Sequence, residues 1–402
     1  MPDIRQKENM EKERILVTVT GPDKTGITAS LMDIVVKSEY EILDIGQSVI
    51  HGLLSLSFII IDKGREKRRE APPILKDLLF AAKKMRMNLD FKIVSTRFVY
   101  SNSANKFILS CVNKQSIAPL FLFDVSKMLA DFGVNILRID KMNSEDHFKS
   151  VDMVTVASSD TDLVKMKSGL LQVAQTHQTD MAFFKENVSH HSKRLIVFDM
   201  DSTLIQAEVI DEMAKIYGVE KEVSQITEEA MNGRLDFTES LFRRVSILKG
   251  LEQGKMQDLV HRLPITAGAR EFIDTVKKLG YKLALISGGF DFFAESLKEQ
   301  LGLDYAFANK LETKNGRLTG KLLGPIICAE KKATLLEQIA EKEKINLDQV
   351  VAIGDGANDL PMLSKAGLGI AFNAKESVKE RADGHMSFGP MDTILHFLGI
   401  YK

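Results

Sequence analysis

The sequence holds two cysteines in 402 residues, Cys111 and Cys328, far apart and without the spacing of metal ligands. That argues against a disulfide framework or a cysteine-rich zinc site and predicts two reduced, buried thiols. An excess of one charge is also missing. There are 54 basic and 55 acidic side chains, for a formal net charge of -1. A chain so balanced has no general attraction for a polyanion, so nucleic acid is not expected as a partner. Long apolar runs are absent too. The longest, Leu53 to Ile61, falls well short of the ~18 residues of a membrane span and reads as a strand. The opening stretch, MPDIRQKENMEKER, is charged and lacks the apolar centre of a secretion signal. The expectation is a cytoplasmic protein without a membrane partner, residues 1–14 forming a tail.

What is present is ordinary for a globular chain, 44% hydrophobic and 27% charged, at a length suiting two to three domains. From Ile15 the pattern reads strand, helix, strand, strand, helix, strand. The helices run from Gly26 to Glu39 and from Ile74 to Met87, and His51-Gly52 marks a hairpin. The same order recurs from Lys106 to Lys185. Each βαββαβ unit predicts a ferredoxin-like α+β domain, at 15–100 and 105–186. Residues 187–193, NVSHHSK, break the periodicity and read as a linker, with His190 and His191 as polar spacer.

Residues 194–402 then alternate strands and helices, the pattern of an α/β, Rossmann-like, doubly wound parallel sheet. Leu195 to Phe198, Leu283 to Ile286 and Val350 to Ile353 are short apolar runs that suit buried parallel strands. Between the first two lies a charged, helical stretch too long for one crossover. It is expected as a helical cap over about 206–263. Asn315-Gly316 within Lys310 to Leu323 marks a second hairpin.

The chemistry gathers where these strands end. The first delivers Asp199 and Asp201, the second Ser287-Gly288-Gly289, and the last Gly354-Asp355-Gly356-Ala357-Asn358-Asp359, with Lys331-Lys332 opening a helix between them. In open α/β sheets the ligand crevice lies beyond the carboxyl ends of the strands. Several acids around one crevice repel unless a cation joins them, and hard oxygen ligands without histidine or cysteine point to Mg²⁺. A serine hydroxyl, glycine N–H groups and a lysine then seat a phosphate. Ser202 and Thr203 suit a turn whose hydroxyls face an anion. One aspartate can attack phosphorus to give an aspartyl-phosphate. Its neighbour two residues on can protonate the leaving oxygen and then activate water.

DMDST, ISGG, a lysine before a helix and GDGAND together resemble the haloacid dehalogenase superfamily. The DxDST form followed by an insertion is similar to its phosphoserine phosphatase branch, over Lys193 to Lys402. The N-terminal pair resembles ACT domains, small-molecule sensing modules of amino-acid metabolism. GPDKTGI at Gly21 to Ile27 is similar to the ligand loop of one ACT group, whereas the second unit has NKQSIAP at Asn113 to Pro119.

The resemblance implies Mg²⁺-dependent hydrolysis of O-phospho-L-serine, the last step of L-serine biosynthesis. It implies Asp199 as nucleophile and metal ligand, Asp201 as general acid/base with its carbonyl on the metal, and Asp355 as a further ligand. Asp359 would hold the metal's water shell or orient Lys332. Ser287, Gly288, Lys332 and Asn358 would seat the phosphoryl oxygens, Lys331 being the rival of Lys332. Glu208 would pair the substrate ammonium and Arg244 grip its carboxylate, with Arg243 as rival. Met231 and Phe237 would make apolar contacts. Asp23 and Gly26 are candidates for binding an amino-acid effector, with serine, the product, as the expected one, or the ACT pair serves a homodimer. Two alternatives stay open: a phosphotransferase passing the phosphoryl group to another hydroxylated amino acid such as homoserine, and an amino-acid sensor with a silent catalytic half.

Overall fold

The computed structural model describes residues 14–62, 72–94, 105–142, 149–186, 192–231 and 234–400. Most of the expected tail and of the expected linker, with His190 and His191, lies outside them. The chain divides into an N-terminal unit, 1–102, and a larger one, 103–402.

The N-terminal unit runs β1 (Arg14–Pro22), α1 (Ile27–Lys37), β2 (Tyr40–Ile50), β3 (Leu53–Asp62), α2 (Pro73–Lys84) and β4 (Asn88–Val94). Its strands form an antiparallel sheet of order β2-β3-β1-β4. Period-two alternation puts Ile15, Val17 and Val19 of β1 on one buried face. Helix-period spacing brings Ile27, Leu31 and Val35 of α1 and Ile74, Leu75 and Leu78 of α2 onto that face. His51 and Gly52 both take positive φ, 48° and 75°, as a two-residue hairpin of matching twist requires.

The larger unit opens with β5 (Asn105–Val112), α3 (Pro119–Asp131), β6 (Asn135–Lys141), β7 (Ser150–Ala157), α4 (Leu163–Thr176) and β8 (Asp180–Lys185). Their sheet order, β8-β5-β7-β6, repeats the strand permutation of the first unit. One difference has no sign in the sequence pattern. Strand β8 is not an edge but pairs antiparallel with β15 (Gly384–Met386), Ala182 opposite Gly384 and Met181 opposite His385. The repeat is thereby part of an eleven-stranded sheet.

The rest of that sheet is doubly wound. In chain order come β9 (Leu195–Phe198), α5 (Val209–Tyr217), α6 (Glu220–Met231), α7 (Phe237–Ile247), α8 (Gln253–Val260), α9 (Ala269–Lys278), β10 (Lys282–Phe290), α10 (Asp291–Leu301), β11 (Tyr305–Lys314), β12 (Arg317–Leu323), α11 (Ala329–Glu343), β13 (Val350–Gly354), α12 (Leu360–Lys365) and β14 (Leu368–Phe372), before β15. Helices α5 to α8 are the insertion expected as a cap. Strand β9 lies between β10 and β13 and parallel to both, with Phe198 opposite Leu285 and Ile353. All four β9 side chains are fully buried, which explains why this strand reads as an unbroken apolar run. The chain leaves β9 toward β10 on one side and returns to β13 on the other. That is the switch point where such sheets open a crevice. None of the described helices is long and apolar enough to cross a membrane.

Candidate active site

The crevice is built from the turn that follows β9. The Asp199 N–H still donates to the Ile353 carbonyl at 2.9 Å, so its carboxylate leaves the sheet at a fixed place. The chain then winds a short π-helical turn, Met200–Leu204, with Ser202 at φ 55°. A left-handed serine is uncommon and costs backbone energy. The turn is held by Thr266, whose hydroxyl donates to the Thr203 carbonyl at 2.6 Å. Asp201 is fixed by the start of α5, its Oδ1 accepting the Val209 N–H at 2.9 Å.

The two hydroxyls of this turn face anions of the chain itself, two carboxylates on other elements. Ser202 Oγ donates to Glu208 Oε1 at 2.8 Å, and Thr203 Oγ1 donates to Asp355 Oδ1 at 3.1 Å. The turn is so tight that its hydroxyls reach neighbouring carboxylates first. They act as braces for acids on other elements.

At the floor lies Lys332, on the first turn of α11. Its Nζ donates to Asp199 Oδ1 at 2.6 Å and to Asp359 Oδ1 at 2.7 Å, with all three side chains buried. Burial alone pulls a lysine pKa down, but the two carboxylates outweigh it and hold the ammonium charged. Lys331, its sequence rival, makes no such contact and is half-buried. Asp359 Oδ2 also accepts the Gly356 N–H at 3.0 Å. A Cβ at Gly354 would lie 2.6 Å from the Asp359 carboxylate, so the glycine lets that acid fold back against its own strand.

Carboxylate oxygens of Asp199, Asp355 and Asp359 lie within 4.8 Å of one another. Three carboxylates against one ammonium leave two negative charges in a buried place. Burial and the neighbouring Asp359 push the Asp199 acid well above its usual range. Burial, then Asp359 and Glu208, raise Asp355 to about 6. An all-oxygen donor set with this surplus fits a divalent cation. Asp359, expected only as support, belongs to the cluster.

The end of β10 brings Ser287, Gly288 and Gly289 to the same crevice. Ser287 is buried, and its Oγ accepts the Gly289 N–H at 2.8 Å. A Cβ at Gly289 would meet Asp201 Oδ2 at 2.7 Å, so only glycine admits that carboxylate here. Asn309, which sequence reasoning missed, braces the loop. It donates to the Gly288 carbonyl at 2.7 Å and accepts the Ile327 N–H at 2.8 Å. Thr266 was missed as well. Both lie outside any motif, and only the tertiary fold brings them to the loops they hold.

The cleft so formed has a cavity volume of about 140 Å³ and is open to solvent on one side. Its lining brings Asp199, Asp201, Ser287, Gly288, Asp355 and Asn358 together with Glu208, Arg244 and Phe237. Arg244 and Arg243, adjacent in sequence, part company on α7. Arg243 is exposed and pairs with Glu239 at 2.6 Å, while Arg244 is half-buried and faces the cleft. Burial, then the Glu208 charge, push Asp201 up to about 7. Asp23 and Gly26 belong to the N-terminal unit. Both are exposed in the loop from β1 to α1, where the Asp23 N–H donates to the Gly52 carbonyl at 2.8 Å and Gly26 takes φ 89°.

Residues 193–367 match the family model of haloacid dehalogenase-like hydrolases, and residues 13–92 that of an ACT domain. The expectation of two ACT domains is corrected accordingly. One is shown, and the second βαββαβ repeat shares its strand order. The chain is 36% identical to a phosphoserine phosphatase of Streptomyces coelicolor, over 96% of this chain and 92% of the relative. It is 35% identical to one of Mycobacterium tuberculosis, over 97% and 94%. Among solved structures it is similar to a HAD-family hydrolase of Salmonella enterica, with a TM-score of 0.62 at 30% identity over 73% of this chain and 98% of that one. The chain belongs to the phosphoserine phosphatases, haloacid dehalogenase-like hydrolases that here carry an N-terminal ACT domain.

Proposed function

We propose that this enzyme hydrolyses O-phospho-L-serine to L-serine and phosphate through a phosphorylated Asp199. The observation that carries the reading is the meeting of two charge sets in one cleft. Asp199 and Asp355, backed by Lys332 and Asp359, share its lining with Glu208 and Arg244. A phosphoserine laid there offers its phosphate to the first set, its ammonium to Glu208 and its carboxylate to Arg244.

Asp199 attacks phosphorus as the bond to the serine oxygen breaks, and Asp201 gives that oxygen its proton. Pushed up to about 7 by burial and then by the Glu208 charge, Asp201 is about half protonated at neutral pH, so it can both give and take a proton. It then removes a proton from water, whose oxygen displaces Asp199 and releases phosphate. Ser287, Gly288, Asn358 and Lys332 orient the phosphoryl oxygens. Mg²⁺ is the cation we assign to the site, held by Asp199, Asp355 and the Asp201 carbonyl, with Asp359 supporting. When bound it supplies charge neutralisation between nucleophile and phosphate. Phosphate release from phosphoserine tests the reading. It is lost in Asp199→Ala, and a beryllium fluoride adduct forms on Asp199 in the intact enzyme. Activity that survives Asp199→Ala, or an adduct on another side chain, overturns it.

Around this core we read the ACT-like units as 15–100 and 105–186, the phosphatase as 194–402 and its cap as about 206–263. The second ACT-like assignment rests on the repeated strand permutation. Serine at the loop holding Asp23 and Gly26 is the effector we favour for the N-terminal unit. A homodimer is favoured by its exposed apolar side chains, among them Ile45, Val49 and Ile93. The unpaired Cys111 and Cys328 suit a reducing cytoplasm, and the reaction suits the last step of serine synthesis.

A further inference from the structure

The β11–β12 hairpin holds two parts of the active site at once. On β11, the buried Asn309 donates to the Gly288 carbonyl at 2.7 Å and accepts the Ile327 N–H at 2.8 Å. It thereby fixes the loop assigned to the phosphoryl oxygens. Nearer its tip, the hairpin is laced to the corner between α7 and α8. The Gly250 N–H donates to the Leu318 carbonyl at 2.8 Å, and the Leu318 N–H to the Leu251 carbonyl at 2.9 Å. The Gln253 N–H donates to the Gly316 carbonyl at 2.9 Å, and Arg317 Nη1 to the Gly250 carbonyl at 3.0 Å. Tyr217 of α5 closes the same corner, its hydroxyl donating to the Lys249 carbonyl at 2.6 Å.

Between these two places β12 bulges. Leu311 pairs with Leu322 and Thr313 with Leu318, so Glu312 alone faces Thr319, Gly320 and Lys321. A bulge bends its strand and re-aims the residues it carries. Here it turns Gly320, at φ 83°, against the end of α7. A Cβ at Gly320 would lie 3.0 Å from Lys249 Cβ and 3.2 Å from the Ser246 carbonyl oxygen. Ser246 stands two residues after Arg244 on the same helix.

We propose that Gly320 is a positioning residue for substrate choice, setting the distance from the phosphoryl seat to Arg244. The inference rests on the phosphoserine reading. Glu312, opposite the bulge, is three residues from Asn309, which is about 10 Å along a strand. One rigid hairpin therefore spaces α7 from the Gly288 loop. A phosphate ester is taken well when its carboxylate reaches Arg244 across that span. A side chain at Gly320 pushes Ser246 outward and carries Arg244 with it. A misplacement of about 1 Å in a positioning group can cost about 100-fold in rate.

Steady-state kinetics of the full-length enzyme test this, with phosphoserine and with phosphoethanolamine, which lacks the carboxylate. In Gly320→Val the KM for phosphoserine rises about tenfold or more, while kcat/KM for phosphoethanolamine stays within about threefold of the parent. Gly320→Ala asks its neighbours to give by only a few tenths of an ångström and shifts the preference in the same direction. It decides the matter if the valine variant does not fold. Gly324→Ala is the control for backbone strain, since Gly324 has φ 77° and nothing within 4 Å of its Cβ. It keeps the parent's preference. An unchanged preference in the folded Gly320 variants overturns the proposal. So does an equal loss with both substrates, which makes the bulge a matter of fold alone. A parent with no preference for phosphoserine overturns the underlying reading as well, which separates that failure from one of the bulge.

Discussion

Lys332 Nζ lies 2.6 Å from Asp199 Oδ1, and both side chains are buried. Breaking a buried ion pair by removing one partner leaves an uncompensated charge, at a cost of about 3–5 kcal/mol. Lys332→Met is expected to lose roughly that much stability in urea unfolding of the metal-free protein. It is also expected to lower kcat at least ~100-fold, since Lys332 both positions Asp199 and offsets phosphate charge. A urea-unfolding free energy equal to the parent's would show that the pair contributes little.

Asp201 offers a cleaner separation of chemistry from fold. In Asp201→Asn the amide oxygen can still accept the Val209 N–H, so α5 should keep its start. Proton transfer is lost. The expectation is kcat for phosphoserine down about 10²–10⁴-fold, with little change in thermal midpoint. Steady-state phosphate release and a melting curve of the same sample decide it. A fall in both together would make Asp201 structural instead.

Glu208 and Arg244 in the cleft should carry specificity. Phosphoethanolamine keeps the phosphate and ammonium of phosphoserine and lacks the carboxylate. The parent should favour phosphoserine in kcat/KM, and Arg244→Met should erase most of the preference, roughly 2–5 kcal/mol of it. Arg243→Met, altering a side chain turned to solvent and paired with Glu239, should leave the preference intact. Equal effects from the two variants would place substrate recognition elsewhere.

How much of this was legible in the sequence follows from what short-range chemistry can encode. The central strand and Asp199 were plain, because burial on both faces forces an apolar run and the acids must follow it. The hairpins at His51-Gly52 and Asn315-Gly316 were plain too, each needing positive φ at both positions. The choice of Arg244 over Arg243 was not, since adjacent residues on a helix point about 100° apart and only tertiary packing selects one. Nor were Asn309 and Thr266, which serve loops far away in the chain. The seam between β8 and β15 was hidden for the same reason. Edge pairing is made by backbone groups common to all residues.

The acidic cluster makes a crossing prediction for metal. Asp199, Asp355 and Asp359 repel one another without a cation, and Asp355 is raised to about 6 by its surroundings. Above that pH, Asp355→Asn removes a charge and should make the metal-free protein more stable than the parent. Adding Mg²⁺ at a hundredfold excess over its Kd should stabilise the parent by about 2.7 kcal/mol and the variant by much less. Melting curves with EDTA and with Mg²⁺ should therefore reverse the order of the two proteins. The same order under both conditions would remove Asp355 from the metal site.

His385 sets a pH dependence whose sign can be worked out. Burial first, then the Lys379 charge, lower its pKa from 6.5 to about 4, while Asp383 and Lys167 pair beside it. Between those values the unfolded chain binds a proton that the folded chain refuses. Stability from this group is thus full above pH 6.5 and is lost as pH falls toward 4. A shift of this size corresponds to about 3 kcal/mol. In His385→Gln the titration is gone, so the stability of the parent relative to the variant should fall by about that amount between pH 7 and pH 4. Taking the difference cancels the carboxylates that titrate in both proteins. A gap that stays constant across the range would mean that His385 is not held neutral in the fold.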